Sequence, residues 1–80
     1  MSNINLIFNY QGNPISIQCT SFEKLRDIYQ RFGTKVQRNP GDFNFYINTM
    51  EVPPCDKTLE NLQVHNYHQI NVVDKTIVGA

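Results

Sequence analysis

The chain has no excess of charge of either sign. Seven Lys and Arg cancel seven Asp and Glu over 80 residues, and the signs are interspersed. Nucleic acid and anionic membranes both demand a basic face, so neither is expected as a main partner. Cysteine is scarce. Cys19 and Cys55 are the two present, too few for a disulfide scaffold. Cys19 stands in an apolar alternation and is expected to be a small buried residue. There is no long apolar run, no N-terminal signal peptide and no Asn-x-Ser/Thr sequon. A reducing cytoplasmic or nuclear setting is the expectation. Catalytic signatures are missing as well: no phosphate-binding glycine loop, no nucleophile elbow and no metal motif.

The residues that could carry chemistry are few. His65 and His68 lie three apart, with Cys55 ten residues before the first. Zinc takes four ligands and usually a paired cysteine motif, so a surface histidine pair is the plainer reading. No base or cation is reliably placed to activate Cys55. Asp56 and Glu60, one helical turn apart, suit a short helix start as well as a catalytic pair. Neither an enzyme, a cofactor nor a metal is expected. A small metal- or redox-active protein using Cys55, His65 and His68 is the competing reading from another class.

Eighty residues make one domain, in which only about 60% of the unfolded surface is buried. That leaves room for a small core and none for a deep cleft. Ten Asn and six Gln supply most of the polar surface. The strongest periodic signal is Thr20 to Gly33, where Phe22, Leu25, Ile28, Tyr29 and Phe32 recur at the spacings of one helix face. Glu23, Lys24, Arg26, Asp27, Gln30 and Arg31 fill the opposite arc. Thr20 with Glu23 matches a capping box, Gly33 matches a left-handed C′ residue, and Asp27 with Arg31 matches an i,i+4 ion pair.

The remaining apolar runs have strand period. Ile4, Leu6, Phe8 and Tyr10 alternate with Asn3, Asn5 and Asn9, with Ile7 on the polar parity. Gln11-Gly12-Asn13-Pro14 reads as a turn, and Ile15, Ile17 and Cys19 as the returning strand of a hairpin. Thr34 to Asp42 is a polar connection ending in a turn signal, Asn39-Pro40-Gly41-Asp42. Phe43, Phe45 and Ile47 point inward, Asn44, Tyr46 and Asn48 outward. Val52 is expected to add a very short strand before Pro53-Pro54 forbids regular pairing. Asp56 to Leu62 reads as one short helical turn, and Gln69 to Asp74 as a last strand with Ile70 and Val72 inward. The domain spans residues 1–74, and 75–80 form a free tail. Hairpin, helix, strand, short turn and strand imply an α+β two-layer fold, the final strand lying parallel to the first at the sheet centre.

This order resembles the β-grasp of ubiquitin and ubiquitin-like proteins, a four- to five-stranded mixed sheet packed on one helix. The resemblance runs from Asn3 to about Gly79. It rests on the Gly12 hairpin loop, the Thr20-Ser21-Phe22-Glu23 helix start and the segment Lys57-Thr58-Leu59-Glu60-Asn61-Leu62-Gln63-Val64. It implies a docking patch on the open sheet face. The family's central isoleucine falls on Tyr46, its last-strand histidine on Asn71, the valine beyond on Val73 and the hairpin-loop leucine near Tyr10, with Ile7 on the same outward parity. It also implies a conjugation tail at Val78, Gly79 and Ala80, where Val78 replaces the first glycine of the family's Gly-Gly end. The function so implied is a monomeric protein modifier, or a unit excised from a ubiquitin-like precursor. Its partners would be ubiquitin-pathway enzymes or ubiquitin-like receptors. A non-covalent docking domain of a larger protein is the alternative.

Overall fold

The computed structural model describes residues 3–75. Strand β1 (Asn3–Tyr10) turns back antiparallel into β2 (Asn13–Thr20), and helix α1 (Leu25–Val36) follows. A 3-10 turn at Pro40–Asp42 leads into β3 (Phe43–Ile47), β4 (Met50–Glu51) and β5 (Gln69–Asp74). The sheet has five strands in the order β2-β1-β5-β3-β4, with β1 and β5 parallel at its centre. One face is covered by α1. The open face carries the polar parity of each strand.

The strands are where the alternation puts them, and the reason is burial on one side only. Ile4, Leu6 and Phe8 of β1, Ile17 and Cys19 of β2, Phe43, Phe45 and Ile47 of β3, and Ile70 and Val72 of β5 are all buried. The hairpin turn is tighter than the four-residue segment expected. Tyr10 pairs with Asn13, so Gln11 and Gly12 alone make the turn. Both have positive φ, 52° and 78°, the signature of the turn that matches strand twist. Pro14 is thereby drawn into β2, which is an edge strand where a missing N–H is tolerated. The short strand after β3 is Met50–Glu51 rather than Val52, whose N–H still donates to Phe45 O at 2.9 Å.

The helix is displaced from Thr20–Gly33 to Leu25–Val36. Thr20 ends β2 instead of capping α1, and the N-cap is Lys24, with no side-chain hydrogen bond. The first orphan donors of the helix are met by a distant loop: Leu25 N–H donates to Lys57 O at 2.8 Å and Arg26 N–H to Cys55 O at 3.1 Å. Half of the expected capping box survives, because the Thr20 N–H donates to Glu23 Oε1 at 2.9 Å. Phe22 precedes the helix and is 63% exposed, so it is no core residue. The apolar face of α1 is Leu25, Ile28, Tyr29 and Phe32, all fully buried. Arg31 pairs with Glu23, not with Asp27. Partial burial pushes the Glu23 carboxyl up, but the Arg31 and Thr20 hydrogen bonds outweigh it and hold it below the usual carboxylate range.

Gly33 is a helix-interior residue, not the C′ residue. A Cβ there would lie 2.6 Å from Arg38 O and 2.8 Å from Pro40 Cδ, so the returning chain packs where a side chain would be. The left-handed C′ position falls on Gln37, with φ 61° and ψ 41°. Arg38 N–H donates to Gly33 O at 2.9 Å and Gln37 N–H to Thr34 O at 3.2 Å, closing the last turn as a Schellman motif. The short helical turn expected at Asp56–Leu62 is a run of turns from Leu59 to Gln63. Thr58 and Asn61 brace it by reciprocal backbone–side-chain hydrogen bonds of 3.1 Å. Of the expected tail, only Lys75 is among the described residues, its N–H donating to Asp42 O at 3.0 Å.

Leu25→Ala removes a fully buried side chain from the helix–sheet contact. It is expected to cost about 2–5 kcal/mol in urea melts. A loss below about 0.5 kcal/mol, within the ordinary surface range, would contradict the packing. Gly33→Ala should destabilise despite the helix preference of about 1 kcal/mol for alanine over glycine. Gln37→Gly should be neutral or stabilising. A melting temperature that rises for the first and falls for the second would reverse the roles given to the two positions.

Candidate functional site

The open face of the sheet is defined by strand register. Tyr46 pairs with Asn71 on one side and Glu51 on the other. Asn71 pairs in turn with Asn9, and Asn9 with Pro14. A second row runs Ser16, Ile7, Gln69. Val73 lies opposite Asn44 and is 51% exposed. Ile7 and Tyr46 are half-buried on this face, and Asn71 is exposed.

Of the residues assigned to the patch, four share the face and one does not. Tyr46 and Val73 are diagonal neighbours across β3 and β5, about 7–8 Å apart in such ladders and within aromatic reach. Ile7 stands two strands from Tyr46, with Gln69 and Asn71 on the strand between. That strip is hydrogen-bonded polar surface: Asn9 Nδ2 donates to Gln69 Oε1 at 2.9 Å and to Asn71 Oδ1 at 3.3 Å. The apolar surface is therefore a Tyr46–Val73 spot beside an amide ladder, with Ile7 separate, rather than one continuous island.

Tyr10 is the correction. The resemblance puts a docking residue near it, but its ring lies on the helix side with Ile4, Leu6 and Phe8, and is buried. It packs edge-on against Phe43 at 5.1 Å and Phe32 at 5.9 Å. The alternation in β1 already assigns it there. A longer loop would be needed to swing residue 10 to the open face, and the Gln11-Gly12 turn leaves Tyr10 paired with Asn13 inside the ladder.

Tyr10 instead belongs to a cluster at the C-terminal end of β5 that pattern reading does not reveal. Arg38 Nη1 donates to the Tyr10 hydroxyl at 2.8 Å and to Asp74 Oδ1 at 2.9 Å. Its guanidinium stacks over Phe43, 4.8 Å from the ring centroid. Asp42 completes the set, with its Oδ2 4.0 Å from Arg38 Nη2. The Tyr10 and Asp74 partners raise the Arg38 pKa further, so it is a fixed cation. The members come from β1, the α1–β3 connection, β3 and β5, so no local spacing announces them. They hold the end of β5 where the chain leaves the sheet.

The remaining chemical candidates are dispersed. His68 Nε2 lies 3.1 Å from Asn48 Oδ1, and Asp56 pairs with Arg26, 3.0 Å from its Nε. Among the described residues no group of three or more His, Cys, Asp and Glu could hold a metal, and no helix is long and apolar enough to cross a membrane. The exposed rings of Phe22 and Tyr67, and Met50, also escape the sequence reading.

No family model matches the chain, and no curated protein is similar to it in sequence. Similarity appears at the level of structure. A Caldiarchaeum subterraneum ubiquitin superposes with a TM-score of 0.82 at 12% identity, covering 98% of this chain and 100% of that one. The ubiquitin-like domain of an Arabidopsis thaliana protein, solved in solution by NMR, superposes with a TM-score of 0.86 at 12% identity, covering 100% and 85%. A second structure of that Arabidopsis protein gives 0.82 at 13% identity, covering 98% and 93%. With its five-stranded mixed sheet gripping one helix, the chain has the ubiquitin-like β-grasp fold.

The two thiols differ in a way that can be measured. Cys19 is buried beneath α1, with its Sγ donating to Ile4 O at 3.4 Å. Burial, and then the nearby Glu23 charge, push its pKa up to about 11. Cys55 is half-buried. A small alkylating reagent at neutral pH should modify Cys55 in the native protein and reach Cys19 only as fast as the fold opens. Equal native rates for both would mean that the β2–α1 contact is looser than described.

Proposed function

We propose that the chain is a ubiquitin-like protein that works by binding other proteins through its open sheet face, as a modifier or as a unit processed from a ubiquitin-like precursor. The observation that carries this reading is the β-grasp over the described residues, with the Tyr46–Val73 spot on the sheet face away from the helix. Its setting is the cytoplasm or nucleus, and its partners are ubiquitin-pathway enzymes or ubiquitin-like receptors. The Tyr46–Val73 spot is the anchor, and the Asn9–Gln69–Asn71 amides set polar specificity around it. No chemistry is assigned to the protein itself.

A second reading is favoured by one specific residue. Val78 stands where a ubiquitin tail has the first of its two glycines. A β-branched side chain restricts φ and ψ and adds bulk just where an activating enzyme must thread an extended tail through a narrow channel. That favours a non-covalent docking domain. ATP-dependent thioester formation with the host's activating enzymes separates the two. Poor charging of the wild type, improved by Val78→Gly, is the expected outcome. Rapid charging of the unmodified tail would show that Val78 is no obstacle. No charging of either variant would leave the docking domain as the function.

For a partner bound by the wild type, Tyr46→Ala should cost about 2 kcal/mol of binding, roughly 30-fold in Kd. The melting temperature should hardly move, since the side chain is only half-buried. Unchanged affinity would remove the open face from the account.

A further inference from the structure

The sheet has two free edges of very different length. β4 contributes Met50–Glu51 alone, whereas β2 offers eight residues, Asn13–Thr20. A long exposed edge with unpaired main-chain groups is a template for another strand. In β2 the closing pair Tyr10–Asn13 and the two-residue turn fix which residues bond inward. Asn13, Ile15, Ile17 and Cys19 bond to β1, so Pro14, Ser16, Gln18 and Thr20 present their main-chain groups to the outside.

Each of those four positions is blunted. Pro14 has no N–H to offer. The Ser16 carbonyl accepts from Lys35 Nζ at 3.0 Å. The Gln18 carbonyl accepts from Arg31 Nη1 at 2.8 Å. Thr20 is engaged on both sides, its N–H donating to Glu23 Oε1 at 2.9 Å and its carbonyl accepting from Glu23 N–H at 3.2 Å. Glu23 in turn pairs with Arg31. Arg31 and Lys35 are four apart on α1, so one helix face delivers both cations to alternate edge carbonyls, whose spacing along a strand is about 7 Å.

We propose that Glu23, Arg31 and Lys35 close the β2 edge, and that this edge is a latent self-pairing site whose occupant, once they are removed, is the β2 strand of a second copy. The occupant follows from the edge itself. Antiparallel pairing about a two-fold axis at Ile17 sets Ser16 of one copy against Gln18 of the other, and each pair exchanges both N–H···O bonds. The same register puts Ile17 opposite Ile17 and Ile15 opposite Cys19, on the helix side of both sheets, and so covers the half-buried Ile15. In the closed state the Ser16 and Gln18 carbonyls are taken, and two copies would bring like-charged Arg31 and Lys35 together.

The test compares the wild type with Arg31→Ala/Lys35→Ala by sedimentation velocity and by amide exchange over a concentration series. The wild type should stay monomeric, with Ser16 and Gln18 amides exchanging fast throughout. The double variant should dimerise with rising concentration, and those two amides should slow by about tenfold or more. A control, Lys24→Ala/Arg26→Ala, removes equal charge from the N-cap and first turn of α1 without touching the edge and should remain monomeric. If the double variant does not fold, Lys35→Ala alone decides the matter, since an exposed lysine can be removed without disturbing the core; it should dimerise at higher concentration. A folded variant that stays monomeric with fast Ser16 exchange, dimers that leave Ser16 and Gln18 unprotected, a wild type that already pairs through this edge, or a control that dimerises equally would each overturn the proposal.

Discussion

The contact on which the structure depends is the aromatic layer between α1 and the sheet. Phe8 stacks on Phe32 at 4.7 Å, and Tyr29 on Phe45 at 3.7 Å. Edge-on contacts link Phe8 to Phe45 and Phe32 to Phe43 at 6.1 and 5.5 Å. Rings of this size dominate the energetics of a small core, and here they come from the helix and from two strands that are not sequence neighbours. Tyr29 carries a hydroxyl into this layer. Its hydroxyl donates to Val52 O at 2.9 Å, and burial keeps it protonated. The same layer fixes where the open face lies, because every residue on the far parity of β1, β3 and β5 is turned away from it.

What could be read from the residues is what burial on one side imposes. β1 and β5 have the bounds that alternation assigns, and the central parallel pairing follows from element order. The helix was legible in kind but not in place. Phe22 fits the 3.6-residue period, and Thr20 with Glu23 fits a capping box, yet both sit before the first turn. α1 starts where Lys57 and Cys55 carbonyls meet its first N–H groups, and no local pattern reports a carbonyl some thirty residues away. Gly33 departs from its local pattern for a related reason. A glycine near a helix end suggests a stop, but this one makes room for the returning chain at Arg38 and Pro40, and Gln37 takes the left-handed position.

The candidate face shows the same division. Parity alone puts Ile7, Tyr46, Asn71 and Val73 on one surface, and the ladder brings Tyr46 and Val73 together. Where likeness and parity disagree, at Tyr10, parity prevails, because a two-residue turn leaves no slack to rotate a strand residue out of the ladder. The Arg38 cluster was invisible because each of its members has an ordinary local explanation. A polar loop arginine, a turn aspartate and three strand ends meet only when the sheet is assembled.

The central place of β5 has a consequence for how the chain is made. Of the described strands, the last to be synthesised is the one that joins β1 to β3, and its partners in β1 lie about 60 residues earlier. Until it emerges, the hairpin with α1 and the β3–β4 ribbon have no shared sheet. Such non-local pairing is slow, and it leaves apolar strands uncovered while it is pending. Before β3 docks, Phe8 and Phe32 lack their contacts with Phe45 and Phe43, and the side chains that occupy the Ser16 and Gln18 carbonyls leave the β2 edge a poorer template for a stray strand during that interval.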